Sequence, residues 1–189
     1  MAFKVRGPIS LAVKVLRDED SEVTRRLVDR DKSRRRLVPV KEGLAIGVYI
    51  CGIRRRGASA EIPWYVGLTQ RNSLAVEALQ KDKIRKYARA LISSDSGTPV
   101  VYFLTPEDAR DRHRIDRLET FLIWLTRQRN PELLNKKKVH LTPESLQGYL
   151  SDLRIHGILN SSTGNPGASQ QLRAMIGWTR AMQVLRPHS

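Results

Sequence analysis

Apolar residues in the middle of the chain alternate between strand-like and helix-like patterns. Residues 44–53 form a nearly continuous apolar run rich in β-branched side chains, which predicts a buried strand. A polar loop at 54–59 separates this run from a second one at 62–68, so the two runs predict an antiparallel hairpin. A third apolar run at 100–104 predicts another strand.

Helical patterns occupy the stretches between and after these strands. Residues 73–92 predict one helix, because their apolar positions recur on a single helical face. Thr105 and Pro106 predict the start of another helix, since a hydroxyl suits the N-cap and proline suits the first helical position. Asn130-Pro131 predicts its end. The apolar stripe of this helix consists of Ile115, Leu118, Leu122 and Leu125.

The first 42 residues form a charged arm. A short strand is expected near 3–5. A helix is expected to begin at Asp20 and Ser21 and to carry Val23 and Leu27 on its apolar side. The arm is too polar to fold alone. It therefore either packs on the middle of the chain or follows a phosphate backbone.

The C-terminal part of the chain, residues 139–189, predicts a short helix after residue 144 and a last helix from about 168 to 185. We accordingly divide the chain into a basic N-terminal arm (1–42), a middle domain of strands and helices (43–138) and a helical C-terminal extension.

The charge distribution narrows the range of partners. The net charge is +15 and the isoelectric point is about 10.6, which favours polyanions. Residues 1–42 carry 12 basic and 7 acidic side chains, residues 43–138 carry 18 and 10, and residues 139–189 carry 4 and 2. A solvated basic surface and a membrane surface are the alternatives. No long basic amphipathic helix favours a membrane, so nucleic acid is the expected partner.

Several other classes of protein are excluded by composition. No apolar stretch approaches the roughly 20 residues that span a bilayer, and the N-terminus lacks the apolar core of a signal peptide. A cytoplasmic protein is therefore expected. The single cysteine, Cys51, rules out an internal disulfide and is expected to be a buried thiol. No Cys/His spacing suggests zinc, and the sequence does not indicate an oligomeric state.

Two tripeptides, Gly47-Val48-Tyr49 and Tyr65-Val66-Gly67, lie on the two strands of the predicted hairpin. If the strands pair, two tyrosines and two glycines come together at one end of the sheet. Glycine inside a strand commonly marks a close approach of backbone or ligand, which would make Gly47 and Gly67 structural positions. The alternative is an ordinary hairpin with aromatic cross-strand pairing.

Two polar side chains sit at positions that call for a partner. Glu119 falls within the apolar stripe of its helix, where a carboxylate needs a cation or a metal. It could instead border the stripe and pair with Arg112 or Arg127. Asn135 follows two leucines and precedes three lysines, so it could hold a side chain or a phosphate; a solvent-facing loop residue is the alternative.

In this order, these features resemble the GIY-YIG nuclease superfamily over residues 43–138. The resemblance implies an α+β fold, with a small three-stranded antiparallel sheet flanked by helices and with extensions at both ends of the chain. It also implies an endonuclease that hydrolyses phosphodiester bonds, in DNA rather than RNA, with one divalent metal, Mg²⁺ or Mn²⁺.

The resemblance also implies roles for individual residues. Tyr49 and Tyr65 would lie at the active site, with Tyr49 preferred for positioning or deprotonating the attacking water. Glu119 would bind the metal, and Asn135 would hold the architecture beside it.

The chain departs from the family pattern on the first helix of the domain. The family has an arginine there, followed by an apolar residue and, four positions after the arginine, by an aromatic residue or histidine. Lys83 stands where the arginine is expected, since Ile84 and Tyr87 then match; Arg85 is the reserve candidate. A lysine supplies charge but no bidentate fork, so a lower activity or a different geometry is expected.

Two basic clusters are candidates for phosphate contacts that carry no sequence information. One is Arg54, Arg55 and Arg56 in the hairpin loop, and the other is Lys136, Lys137 and Lys138. Their alternative role is solubility.

Three functional hypotheses follow. The first is an active endonuclease, and the second is a catalytically weakened nucleic-acid-binding module on the same fold. The third is a basic assembly factor with coincidental tripeptides, which requires an exposed Glu119 and tyrosines that do not converge.

Overall fold

The computed structural model describes residues 3–17, 24–58, 61–93, 97–106, 112–138 and 166–178. Its strands are β1 (Phe3–Ser10), β2 (Val13–Arg17), β3 (Thr24–Val28), β4 (Gly47–Arg55), β5 (Ile62–Thr69) and β6 (Gly97–Pro106). Its helices are α1 (Arg30–Leu37), a 3₁₀ turn (Lys41–Leu44), α2 (Leu74–Ala78), α3 (Lys81–Ser93), α4 (Arg112–Arg129) and α5 (Pro166–Ile176).

The main sheet has four antiparallel strands in the order β1-β6-β4-β5. The three strands expected in the middle of the chain are β4, β5 and β6, and the fold is α+β. The expected three-stranded sheet is wrong, because the N-terminal arm adds β1 to the free edge of β6. In β1, buried Phe3 and Val5 alternate with exposed Lys4 and Arg6, which suits an edge strand with one covered face.

Both faces of the sheet are covered by helices. Successive residues of β4 pack into two separate hydrophobic cores, one on each face. Val48 and Ile50 pack with α4 and α5, whereas Tyr49 and Cys51 pack with α2 and α3. Since β4 is paired on both sides and covered on both faces, its first seven residues are all buried. This explains its unbroken apolar run.

The helix expected across 73–92 is two helices, α2 and α3, separated at Leu79 and Gln80. The buried residues of α2 are Leu74, Ala75 and Ala78. A continuous helix would carry that buried stripe on to positions 81, 82 and 85, which are lysine, aspartate and arginine. The break lets α3 bury Tyr87, Ala90 and Leu91 instead.

Two helical segments expected from capping signals are strands instead, for a shared reason. β6 continues through Thr105 and Pro106, because these residues pair with Lys4 and Phe3 of β1. The expected capping residues Asp20 and Ser21 lie outside the described residues, but Leu27, expected on that helix, belongs to β3, because residues 24–28 pair with β2. In both cases a strand partner from the N-terminal arm decides the structure over local capping signals.

The remaining helical expectations concern the ends of α4 and the C-terminal part. α4 ends at Arg129, as Asn130-Pro131 predicts. The last helix among the described residues is α5, which begins at Pro166 and ends at Ile176 before Gly177 at φ +67°, earlier than the expected end near 185. The helix expected after residue 144 lies outside the described residues. Within the described ranges, no helix has the length and apolar character needed to cross a bilayer.

Candidate active site

A cleft of about 330 Å³ lies where β5, α3, α4 and the segment after α4 meet. It is lined by Tyr65, Lys86, Arg89, Glu119, Ile123, Leu134, Asn135, Lys136, Lys137 and Lys138. The cleft therefore brings together Tyr65, Glu119 and Asn135, which are far apart in the sequence. Tyr49, Lys83 and Arg85 are not part of its lining.

The two glycines of the tripeptides are required by close packing. Gly47 has φ +154°, and a Cβ at this position would collide with the carbonyl oxygen of Leu104. A Cβ on Gly67 would collide with the hydroxyl of Tyr49, the residue paired with it across the hairpin. The space that Gly67 leaves empty is thus where the Tyr49 hydroxyl lies.

The two tyrosines are neighbours with different surroundings. Their ring centroids are 6.0 Å apart with planes tilted by 55°. Tyr49 is fully buried, and its hydroxyl has no hydrogen-bond partner among the described residues. Tyr65 is partly exposed and lines the cleft. Burial raises the pKa of both phenols, so each is protonated at neutral pH, and only Tyr65 reaches the cleft.

Glu119 is almost buried, with 13% of its side chain exposed. Its Oε2 accepts a hydrogen bond of 2.7 Å from the ammonium of Lys138, which also donates to Oδ1 of Asp116 at 2.6 Å. Burial raises the pKa of the Glu119 carboxyl, and Lys138 opposes that shift. The cation beside Glu119 is therefore Lys138, not Arg112 or Arg127 as considered from the sequence.

The donor atoms around Lys138 fit a hard divalent cation. Asp116 and Glu119 lie three positions apart on α4, so both carboxylates face the same side and meet at one positive charge. Carboxylate oxygens are the ligands that Mg²⁺ prefers, with water and substrate phosphate completing the set. The described residues contain no group of three or more His, Cys, Asp or Glu side chains that could hold a metal. A metal here would rely on these two carboxylates, and Lys138 would have to withdraw.

Asn135 is bonded to the edge strand and does not point freely into solvent. Its Oδ1 accepts from the Val66 N–H at 2.9 Å, and its Nδ2 donates to the Val66 carbonyl at 2.8 Å. The side-chain amide thus pairs with β5 as a neighbouring strand would. It fixes the strand of the second tripeptide to the segment that carries the cleft lysines.

The basic residues of α3 are arranged differently from the expectation. The ammonium of Lys83 lies 2.6 Å from Asp82 and 3.7 Å from Glu77. Arg85 is exposed. Lys86 lies over the ring of Tyr65, with its Nζ 3.5 Å from the centroid. Sequence reasoning missed Lys86, although its place three residues after Lys83 puts both on one side of the helix.

Two further residues were missed, Arg89 in the cleft lining and Asp116 beside Lys138. Arg89 lies one turn after Lys86, and Asp116 lies one turn before Glu119, so helical spacing from a recognised residue is the signal that could have found them.

The two basic clusters are separated in the structure. Lys136, Lys137 and Lys138 line the cleft. Arg54 instead donates to the buried Glu61, with its Nε 3.0 Å from Oε1. Arg55 and Arg56 are exposed at the hairpin end and absent from the cleft lining, four and five residues beyond Cys51, which pairs with the cleft residue Tyr65, and so about 13–17 Å along the strand. The hairpin arginines therefore belong to a different part of the surface from the cleft.

Two side chains next to the site have structural partners. The Cys51 thiol is buried and lies 2.8 Å from the hydroxyl of Tyr87, which donates to the carbonyl of Ala78 at 3.0 Å. Burial raises the pKa of Cys51 to about 12. Tyr87, which matches the aromatic position of the family pattern, therefore points into the core between β4 and α2.

Comparisons of this chain with protein-family models, curated proteins and solved structures found no match. The resemblance to GIY-YIG nucleases thus remains a prediction from the residues. The hypothesis of coincidental tripeptides demanded an exposed Glu119 and separated tyrosines. Neither condition holds, because Glu119 is almost buried and the tyrosine rings are neighbours.

Proposed function

We propose that this chain is a divalent-metal-dependent endonuclease that hydrolyses phosphodiester bonds in nucleic acid, with DNA the expected substrate. One observation carries the proposal: Tyr65, Glu119 and Asn135, three residues singled out separately from the sequence, meet at one cleft. Each hydrolysis consumes one water and leaves one phosphate monoester and one hydroxyl end.

The charge of the cleft supports a polyanionic substrate. Its lining has five basic side chains and a single carboxylate, Glu119. Such a cleft attracts a phosphate backbone through its field and through counterion release. A carboxylate inside a basic cleft repels phosphate, so it works against a surface that only binds nucleic acid. The carboxylate favours catalysis over simple binding.

The residues of the cleft can be given distinct tasks. Glu119, together with Asp116, would hold Mg²⁺ or Mn²⁺, which when bound stabilises charge on the phosphate and on the leaving oxygen. Tyr65 is a protonated phenol because burial raises its pKa. We therefore assign it the orientation of the attacking water by hydrogen bonding, rather than its deprotonation. Asn135 keeps the Tyr65 strand in place through Val66.

The test is cleavage of supercoiled plasmid in Mg²⁺, Mn²⁺ or EDTA by the wild type and by Glu119→Gln. Glu132→Gln is the matched control, because Glu132 is exposed and close in sequence but outside the cleft. We expect metal-dependent nicking that Glu119→Gln abolishes and Glu132→Gln retains. Equal cleavage by both variants would remove Glu119 from the mechanism, and absence of cleavage by the wild type on plasmid and branched DNA would contradict the nuclease proposal.

A second candidate function is a nucleic-acid-binding module with weakened catalysis. The contact of Lys138 with Glu119 favours it, because an ammonium already neutralises the carboxylate that a metal would need. This candidate predicts salt-sensitive DNA binding without cutting in any metal. It also predicts that Lys138→Met, which frees Glu119, gains measurable Mg²⁺-dependent nicking.

A further inference from the structure

The proposed function calls for a basic residue that contacts the phosphate to be cleaved. Lys83 stands at the expected position, but its ammonium is bound by the carboxylates of Asp82 and Glu77. Its side chain is also mostly buried and absent from the cleft lining. A phosphate could recruit Lys83 only by breaking those contacts. The charge of the Lys83 ammonium is thus already neutralised by these two carboxylates.

Lys86 is in the opposite situation. Its side chain lines the cleft and is partly buried, and its ammonium lies on the face of the Tyr65 ring. Among the described residues, no carboxylate lies within 4.0 Å of it. A ring face stabilises an ammonium less than a carboxylate partner does and leaves the outward N–H groups available. An anion entering the cleft would supply the missing partner.

The surroundings of Lys86 also disfavour its charge until an anion arrives. Burial lowers the pKa of Lys86, and the neighbouring Lys83 ammonium lowers it further. Arg89 lines the same wall one turn along α3, and Lys136 and Lys137 add positive charge to the lining. A phosphate bound beside Tyr65 would relieve this repulsion. The place that has the water-orienting phenol thus also has a cation without a carboxylate.

We propose that Lys86 is a catalytic residue that contacts the phosphate to be cleaved, next to Tyr65, and that Lys83 instead joins α3 to α2 through its ion pair with Glu77. This inference rests on the proposed nuclease function and names the residue that takes over the role of the family arginine. It predicts that one lysine of α3 controls both phosphate affinity and cleavage.

The experiment has a metal-free arm and a metal arm. Binding of a labelled DNA duplex is measured in EDTA across a salt series for wild type, Lys86→Met, Lys86→Arg, Lys83→Met, Arg85→Met and Lys81→Met. Lys81 is the matched control, an exposed lysine of the same helix outside the cleft. Plasmid nicking in Mg²⁺ is measured for the same proteins, and thermal unfolding verifies that each is folded.

For Lys86→Met we expect Kd to rise about tenfold, as for one lost charge-assisted hydrogen bond, and the salt slope to fall by about 1. Nicking should fall about a hundredfold, as when one donor to a transition state is removed. Lys86→Arg should keep most of the affinity, because the charge is retained.

The inference is overturned if Lys86→Met behaves like Lys81→Met while the wild type still cuts, and the nuclease proposal then stands without it. It is equally overturned if Lys83→Met or Arg85→Met, and not Lys86→Met, causes the losses. A wild type that neither binds nor cuts DNA contradicts the nuclease proposal and this inference together.

Discussion

Because the Lys138 ammonium contacts both carboxylates of α4, we predict that a divalent metal binds there only by displacing that ammonium. We consider Lys138→Met, which keeps the length of the side chain and removes its charge. Lys138 has φ +61°, a conformation that costs energy for any residue other than glycine. Because methionine bears the same backbone cost as lysine, the comparison isolates the ammonium. Lys137→Met is the matched control, since Lys137 is exposed and has no ion pair with the described residues.

The magnitude follows from the two hydrogen bonds that disappear. The bond to Glu119 involves an almost buried carboxylate, and a hydrogen bond to a charged group contributes about 1.5–3 kcal/mol. Asp116 has half of its side chain exposed, so its contact adds little. We expect the free energy of unfolding in EDTA to fall by about 2 kcal/mol, which corresponds to a drop in Tm of about 4–8 °C for a protein of this size.

Metal should then reverse the loss. A ligand at 100 times its Kd stabilises a folded protein by about 2.7 kcal/mol, and in Lys138→Met the carboxylates are free to bind it. In the wild type, Mg²⁺ must first displace the ammonium, so the same concentration should raise Tm less. The assay is thermal unfolding in EDTA and along a Mg²⁺ titration without DNA. The reasoning is refuted if Lys138→Met is as stable in EDTA as Lys137→Met, or if its Tm responds to Mg²⁺ no more than that of the wild type.

Three substitutions and one labelling reaction give further tests of the site and its surroundings. Tyr49→Phe should keep stability and nicking, because the Tyr49 hydroxyl has no hydrogen-bond partner among the described residues and does not reach the cleft. Tyr65→Phe should lose most nicking. The reverse result in a plasmid assay would return the water-orienting role to Tyr49. Asn135→Ala should lower the free energy of unfolding by about 1–3 kcal/mol, since it leaves both polar groups of Val66 unpaired; urea unfolding measures this, and a change under 0.5 kcal/mol would count against it. Cys51 should resist thiol reagents at pH 8 until the protein unfolds, because a thiol with a pKa of about 12 is protonated below that pH; rapid labelling of the native protein would contradict its burial.

The sequence allowed the core of the fold to be predicted where burial alone decides the pattern. The strands β4, β5 and β6 can be recognised from their apolar runs, because helices cover them on one or both faces. Thr105 shows the limit, since its capping signal is local while its strand partner Lys4 is about a hundred residues away. Pairing over such a distance cannot be inferred from local propensity.

For the candidate site too, single residues could be recognised from the sequence, but their distant partners could not. Glu119 and Asn135 could be singled out, because a polar side chain among apolar neighbours needs a partner wherever the chain goes. Their partners could not be identified, since Lys138 reaches Glu119 only through the path of the segment after α4, and Val66 is 69 residues from Asn135. The sequence offered Lys83 and Arg85 but not Lys86, because the position of each cation relative to the nearby carboxylates is a property of the folded packing.

The segment after α4 has a consequence for the behaviour of the protein in concentrated solution. Besides the contacts of Asn135 with Val66, the Leu134 N–H donates to the Trp64 carbonyl, and the Asn130 amide donates to the Pro63 carbonyl. These bonds occupy the outer edge of β5, which would otherwise offer unpaired backbone groups to another chain. Truncation before residue 130 would therefore do more than remove the cleft lysines. It would also expose the edge of β5 to strand pairing with another molecule. The residues that shape the cleft therefore also prevent association of the sheet between molecules.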